Sequence, residues 1–233
     1  VGMGRRASGK PVAMVSCKNG AAESNAWAGL CKWFGELIGA KCCMPQGLDT
    51  MFFEAVKGDA DCGGLVSCNY FSGEPITDFE EGRPLFMRRP DSKLGLANFM
   101  RTHLYSSLAT LKYGLDILFK EEHVTLDKLM GHGGFFKTKG VGQRIMAAAA
   151  DVPVSVMETA GEGGPWGMAL LASYLTWKGE DETLQNYLEG KVFAGNAGTS
   201  EEPDAKDIEG FEKFIENYKG AIAVEKTASE VIK

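Results

Sequence analysis

Apolar residues recur at three- and four-residue spacing along several stretches of this chain, the period of helices with one buried face. The longest stretch runs from Lys93 to Phe119, with Leu94, Ala97, Met100, Leu104, Leu108, Leu111, Leu115 and Leu118 on one side. An earlier one runs from about Glu23 to Gly39 and carries Trp27, Leu30, Phe34, Leu37 and Ile38. Ser24 or Asn25 can cap it, and Gly39 ends it. Shorter helices are expected over Thr50 to Lys57, Thr138 to Ala150, Trp166 to Trp177 and Asp181 to Glu189. In the third of these four, the small residues Gly167, Ala169 and Ala172 predict close packing on neighbours. Pro203 and Asp204 open a last helix, whose stripe Ile208, Phe211, Phe214, Ile215, Tyr218 and Ile222 must dock on this domain or on a partner.

Short apolar runs between the helices read as strands over 11–16, 63–68, 127–130 and 154–157. A further brief strand, 85–87, sits in a loop-rich insert over 72–92, which is broken by Gly and Pro. Residues 195–204 read as a polar loop, with Glu201-Glu202 solvated. Strands alternating with helices give the α/β class, and with no clean linker the reading is one domain over 1–233.

Composition narrows the function classes. With 44% hydrophobic and 24% charged residues in 233, the chain has material for a core, which excludes wholesale disorder. A net charge of −6 argues against a broad nucleic-acid face. No apolar run approaches the ~20 residues of a membrane helix. The basic start around Arg5-Arg6 has no apolar segment behind it, so it is no secretory signal and a cytoplasmic protein is expected. A first residue of Val suggests a fragment. The six cysteines, Cys17, Cys31, Cys42, Cys43, Cys62 and Cys68, form no C-x-x-C pair and read as reduced, partly buried thiols. His103, His123 and His132 are too scattered for a metal cluster. Trp27, Trp33 and Phe34 read as core, and Met44, Met51, Met87 and Met100 as gap-fillers.

The informative segment is Leu129-Met130-Gly131-His132-Gly133-Gly134-Phe135-Phe136-Lys137-Thr138, followed by Gly140, Gly142 and Gln143. A strand runs into a glycine turn and then a helix. Glycines let a ligand approach the backbone, and a helix start offers free N–H groups, which suits a phosphate or nucleotide. The pattern is neither G-x-G-x-x-G nor the Walker lysine loop, and such a turn also serves as plain structure. Lys137 and Lys139 are placed either to meet phosphate or simply to face solvent. Glu158 to Gly167 repeats the arrangement about 30 residues later, and two such turns at one sheet edge favour a nucleotide cleft.

These residues carry a resemblance. Gly131-x-Gly133-Gly134, the helix with Gln143 and Ala147 to Asp151, Val152-Pro153-Val154, Glu158, and Gly167 to Ala172 resemble the adenosine-binding half of the FGGY carbohydrate kinases. Cys68 to Pro75 and Gly82 to Phe86 resemble two further segments of that family, so the likeness covers roughly residues 10–178. It implies a ribonuclease-H-like, actin-like ATPase domain, with a mixed sheet flanked by helices. It also implies that this chain is the C-terminal domain alone. The sugar-binding N-terminal domain, its catalytic aspartate and the first phosphate loop would lie elsewhere, leaving no catalytic residue in this chain.

The resemblance further implies ATP and Mg²⁺, with nucleotide binding by Gly131, Gly133, Gly134, Phe135 and Thr138. Phe135 stands where the family often has Ala, and Thr138 where some members place an adenine-contacting Asn. Glu74 and Arg83 are expected to be structural. The implied acceptor is a sugar hydroxyl, of a pentulose such as xylulose or ribulose, held mainly by the missing domain. No nucleic-acid or membrane partner is implied, and a homo-oligomer is left open. Two other readings stand beside this one: a non-catalytic actin-like regulatory or assembly domain, and a dinucleotide-binding oxidoreductase, which the missing G-x-G-x-x-G counts against.

Overall fold

The longest apolar stripe becomes helix α3, Leu96–Asp116, which runs on through a wider turn at Ile117–Glu121. The computed structural model describes residues 2–5, 9, 11–14, 17–20, 22–41, 43–158, 163–194 and 198–233. Met100, Leu104, Tyr105, Leu108 and Ala109 of α3 are buried at the centre of the main core. Leu94 falls before the helix and is half exposed, so the expected face starts with Ala97, partly buried, and Met100.

The C-terminal stripe docks on this chain rather than awaiting a partner. Helix α7, Ala205–Val231, begins where Asp204 caps the backbone N–H groups of Lys206 and Asp207. Phe211, Phe214 and Tyr218 are fully buried, with the Phe211 and Phe214 rings 4.7 and 5.3 Å from that of Tyr105. A charge network centred on the buried Asp207 reinforces the joint. Arg101 of α3 donates to Asp207 Oδ1 at 2.5 Å, while Arg144 of helix α4 (Val141–Ala150) donates to Oδ2 at 2.6 Å. Burial opposes the charge on Asp207, but Arg144 and Arg101 together outweigh it and hold the carboxyl below its ordinary range.

Among the described residues the strands form three small sheets. Strand β3, Leu65–Cys68, is buried throughout and pairs antiparallel with β4, Leu85–Arg88. Strands β5 (Leu129–Gly131), β6 (Val154–Val156) and β7 (Thr199–Glu201) form a mixed sheet. There β5 and β6 run parallel and β7 antiparallel to β6, with α4 as the crossover between the parallel pair. Gln143 of α4 ties that sheet together, donating to the carbonyls of Val154 (3.1 Å) and Thr199 (2.8 Å). Strands β1 (Gly2–Arg5) and β2 (Pro11–Met14) form a separate antiparallel pair. The remaining helices are α1 (Ala22–Leu37), α2 (Met44–Ala55), α5 (Gly163–Trp177) and α6 (Leu184–Tyr187).

Several expectations are corrected. Helix α2 starts six residues early, because Pro45 stands in its first turn, where its missing N–H costs nothing. The 195–204 stretch is not all loop: β7 sits there, an edge strand of three polar residues that no apolar alternation marks, and it takes in Glu201. Trp27 packs against Phe99 and His103, but Trp33 and Phe34 are 62% and 63% exposed, as are most of the apolar residues of α1. The inner face of α1 is instead made by Glu23, Ser24 and Ala28. Ala169 and Ala172 of α5 are exposed and nothing approaches Gly167, so the small residues of that helix do not mediate close packing.

Cys17, Cys31, Cys62 and Cys68 are free thiols; Cys42 lies outside the described residues. Cys31 and Cys43 are exposed rather than partly buried. Burial, with Glu74 adding to it, pushes Cys17 up to about 11.

The 69–84 segment between β3 and β4, most of the expected insert over 72–92, is held by polar groups. Glu74, fully buried, accepts from the backbone N–H of Lys18 and from Asn19 Nδ2. Arg83 donates to Glu81 (3.0 Å) and to the Ile232 carbonyl (2.7 Å), so both residues are structural, as expected. The backbone N–H of Arg83 donates to the buried Glu225 of α7.

Candidate functional site

Parallel strands present their carboxyl ends together, and that edge is where ligands settle in α/β folds. Strand β5 ends at Gly131, and the chain then makes its glycine turn. Gly133 has φ of 100°, a backbone conformation that a side chain would strain. A single 3-10 turn follows over Gly134–Phe136, and α4 begins only at Val141, capped by Gly140. The expected direct step from glycine turn to helix is thus interrupted, and α4 does not line the cavity described next. Gly142 explains the geometry: a Cβ there would lie 2.4 Å from the Phe135 carbonyl oxygen, so glycine lets α4 pass directly beneath the segment.

A cavity of about 430 Å³ opens beside this segment, inside the ~300–1,000 Å³ range of small-molecule sites. One wall is the segment itself, with Gly134, Phe135, Lys137 and Thr138. The facing wall is α2, with Pro45, Leu48, Asp49 and Phe52, and Ser24 and Asn25 of α1 and Ser107 of α3 complete it. Apolar surface predominates, with polar groups from Ser24, Asn25, Asp49, Ser107, Lys137 and Thr138 set into it, the character of a small-molecule site. Among the described lining residues Asp49 is the one carboxylate and Lys137 the one cation.

Three of the five residues singled out from the sequence meet at this cavity: Gly134, Phe135 and Thr138. A Cβ on Gly134 would meet nothing within 4 Å, so this glycine leaves room rather than fitting a tight joint. Gly131 is different. It is buried under the Phe136 ring, which a Cβ would approach to 2.6 Å, and it does not line the cavity. Gly133 shapes the turn from outside the lining. Thr138 is 5% exposed, and its hydroxyl donates to Asp49 Oδ1 at 2.5 Å across 89 residues of sequence.

The whole α1–α2 wall escaped the sequence reading. The one usable signal was Asn25 and Ser24 at a helix start, which read as caps. Of the second glycine turn, Glu158 to Gly167, residues 159–162 lie outside the described residues, and Gly163 to Gly167 belong to α5 rather than to a turn. A polar hollow of about 300 Å³ lies on the other side of the 134–138 segment, where Lys139, Glu158 and Thr199 meet. Among the described residues no group of three or more His, Cys, Asp or Glu is placed to hold a metal ion, and no helix is long and apolar enough to cross a membrane.

Comparison with solved structures shows the fold. Xylulose kinase from Rhodospirillum rubrum superposes with a TM-score of 0.60 at 18% identity, over 87% of this chain and 37% of that one. Gluconate kinase from Lactobacillus acidophilus gives 0.59 at 17%, over 77% and 35%. Plasmodium falciparum glycerol kinase with ADP gives 0.53 at 15%, over 88% and 37%. The fold is therefore that of the actin-like ATPases, a mixed sheet flanked by helices, and the chain spans little more than a third of the length of these kinases. A search of the curated proteins found no match. The sequence itself matches the C-terminal domain of the FGGY family of carbohydrate kinases over residues 13–176, and the chain belongs to that family.

Proposed function

We propose that this chain is the nucleotide-binding half of an ATP-dependent carbohydrate kinase, a single domain whose sugar-binding partner domain lies outside the 233 residues. The observation that carries the reading is the cavity between α2 and the Gly134–Thr138 segment, at the end of β5. Its apolar walls at Phe52, Leu48 and Phe135 suit a purine, and the open Gly134 gives the nucleoside access to backbone. ADP in the glycerol kinase from P. falciparum, which shares the fold, supports the choice of nucleotide.

In this role the chain's residues bind and orient. Phe135 and the α2 side chains exclude water from the base, and Thr138 and Asp49 supply fixed polar groups. Gly131 and Gly133 set the turn that aims Gly134 at the ligand. Phosphoryl transfer rests on such positioning and on charge stabilisation. Mg²⁺ would travel with the nucleotide's phosphates, neutralising their charge. The acceptor hydroxyl and the group that takes its proton belong to the remainder of the protein, which places the activity of this chain alone near zero. For the acceptor we propose a pentulose such as xylulose or ribulose, on the order and spacing of the sequence segments. A cytoplasmic location fits a metabolic kinase of this kind.

Calorimetric titration of the chain with MgADP tests the reading. Adenine-specific binding supports it. Loss of binding both in this chain and in the full-length kinase contradicts it and returns the case to a non-catalytic actin-like domain. Phosphorylation assays of the full-length protein with xylulose, ribulose, gluconate and glycerol test the acceptor.

A further inference from the structure

The contact between Thr138 and Asp49 is the only hydrogen bond between described side chains that crosses the cavity from the glycine segment to α2. Thr138 is buried, and its single proton goes to Asp49 Oδ1. That bond fixes the carboxylate's rotation. Among the described residues nothing engages the second oxygen, Oδ2, although Asp49 lines the cavity. A carboxylate is acceptor-only, so Oδ2 selects a ligand group that presents donors. A second observation points to a ligand on the same side. Ser24 of α1 also lines the cavity, is 2% exposed, and its hydroxyl has no hydrogen-bond partner among the described residues.

The chemistry of a nucleotide then decides which group fits. The Watson–Crick edge of adenine sets its amine beside a ring nitrogen with a lone pair, and a carboxylate facing that edge meets one donor and one repulsive acceptor. Two vicinal ribose hydroxyls offer two donors with no such conflict. Against the Asp49 carboxylate itself a phosphate would meet like charge.

We infer that Asp49, oriented by Thr138, accepts hydrogen bonds from the ribose 2′- and 3′-hydroxyls and is the residue that makes this site select ribonucleotides over deoxyribonucleotides. The inference rests on the nucleotide reading above and adds a residue, a ligand group and a direction of specificity to it.

The test is a titration of the wild-type chain and Asp49→Asn with MgADP, Mg-2′-deoxyADP and MgGDP, repeated in the full-length protein. Asp49 lies on the exposed side of α2, so the substitution leaves the core intact. Hydrogen bonds to a charged group are the strong kind, so wild type should bind ADP roughly tenfold or more tighter than 2′-deoxyADP. Asp49→Asn should weaken ADP by a larger factor than 2′-deoxyADP, which keeps only its 3′-hydroxyl bond to lose, and so bring the ratio towards one. Thr138→Val, which frees the carboxylate's rotation, should lower the ratio part of the way. A merely structural Asp49 would weaken both nucleotides together.

Equal binding of ADP and 2′-deoxyADP by wild type, or equal weakening of both in Asp49→Asn, overturns the inference while the nucleotide reading stands. Tighter binding of GDP than ADP, reversed in Asp49→Asn, also overturns it, because the carboxylate would then be reading the N–H edge of guanine. Failure of every nucleotide to bind in both proteins overturns this inference and the nucleotide reading together.

Discussion

Helices α5 and α7 take opposite courses from composition to burial. Helix α5 is apolar nearly all round, yet Met168, Leu175 and Trp177 are 70%, 74% and 71% exposed. Helix α7 is rich in Lys and Glu, yet its stripe from Phe211 to Ala221 is buried. Total apolar content therefore does not decide which helix enters the core. A helix enters when its apolar residues form one stripe and a matching surface exists, as the rings of Tyr105, Phe211 and Phe214 provide for α7. Helix α5 touches described neighbours mainly through Ser173 and Tyr174, which meet Tyr187 and the Glu182 carbonyl.

The sharpest way to break the α7 joint is Asp207→Ala. It leaves Arg101, 1% exposed, as an uncompensated buried charge, and should cost about 3–5 kcal/mol in chemical unfolding. Phe214→Ala, a cavity at the centre of the same joint, should cost about 3–4 kcal/mol. Thermal unfolding of both variants against wild type checks these values.

A third variant reads the joint through pH. Burial raises the Glu225 carboxyl from 4.5 to about 7, against smaller opposing contributions from Cys68 and the Arg83 N–H. The folded chain keeps a proton there that the unfolded chain gives up, so stability falls as pH rises from about 4.5 to 7. Burial lowers His103 from 6.5 to about 4, so its contribution runs the other way and is lost as pH falls from 6.5 to 4. Glu225→Gln should remove the first slope alone. Its stability relative to wild type should rise by about 1–3 kcal/mol between pH 5 and pH 8 in denaturant titrations. At the other end of the comparison, Trp177→Ala and Leu175→Ala on α5 should each change stability by no more than about 0.5 kcal/mol.

The same logic explains what the sequence made legible. Helices α3 and α7 could be read because their stripes persist over many turns, and Asp204 announced the start of α7. The segment Gly131–Thr138 could be read because glycines bunch where backbone is close or strained. Strands β1 and β7 could not, being too short to show alternation. The outward turn of Trp33 and Phe34 was also hidden, since periodicity finds a stripe but not what it faces. Above all, the α1–α2 wall of the cavity was out of reach. Asp49 and Thr138 stand 89 residues apart, and only the packing of α2 across the glycine segment brings them together.

The central claim is that Gly134 opens onto a nucleotide. Its most direct test is calorimetry of MgADP against wild type and Gly134→Trp, with circular dichroism to confirm folding. Nothing lies within 4 Å of a Cβ at that position, so the variant should fold normally while its indole fills the cavity and abolishes binding. A folded Gly134→Trp that binds MgADP as tightly as wild type would contradict the claim and move the site elsewhere.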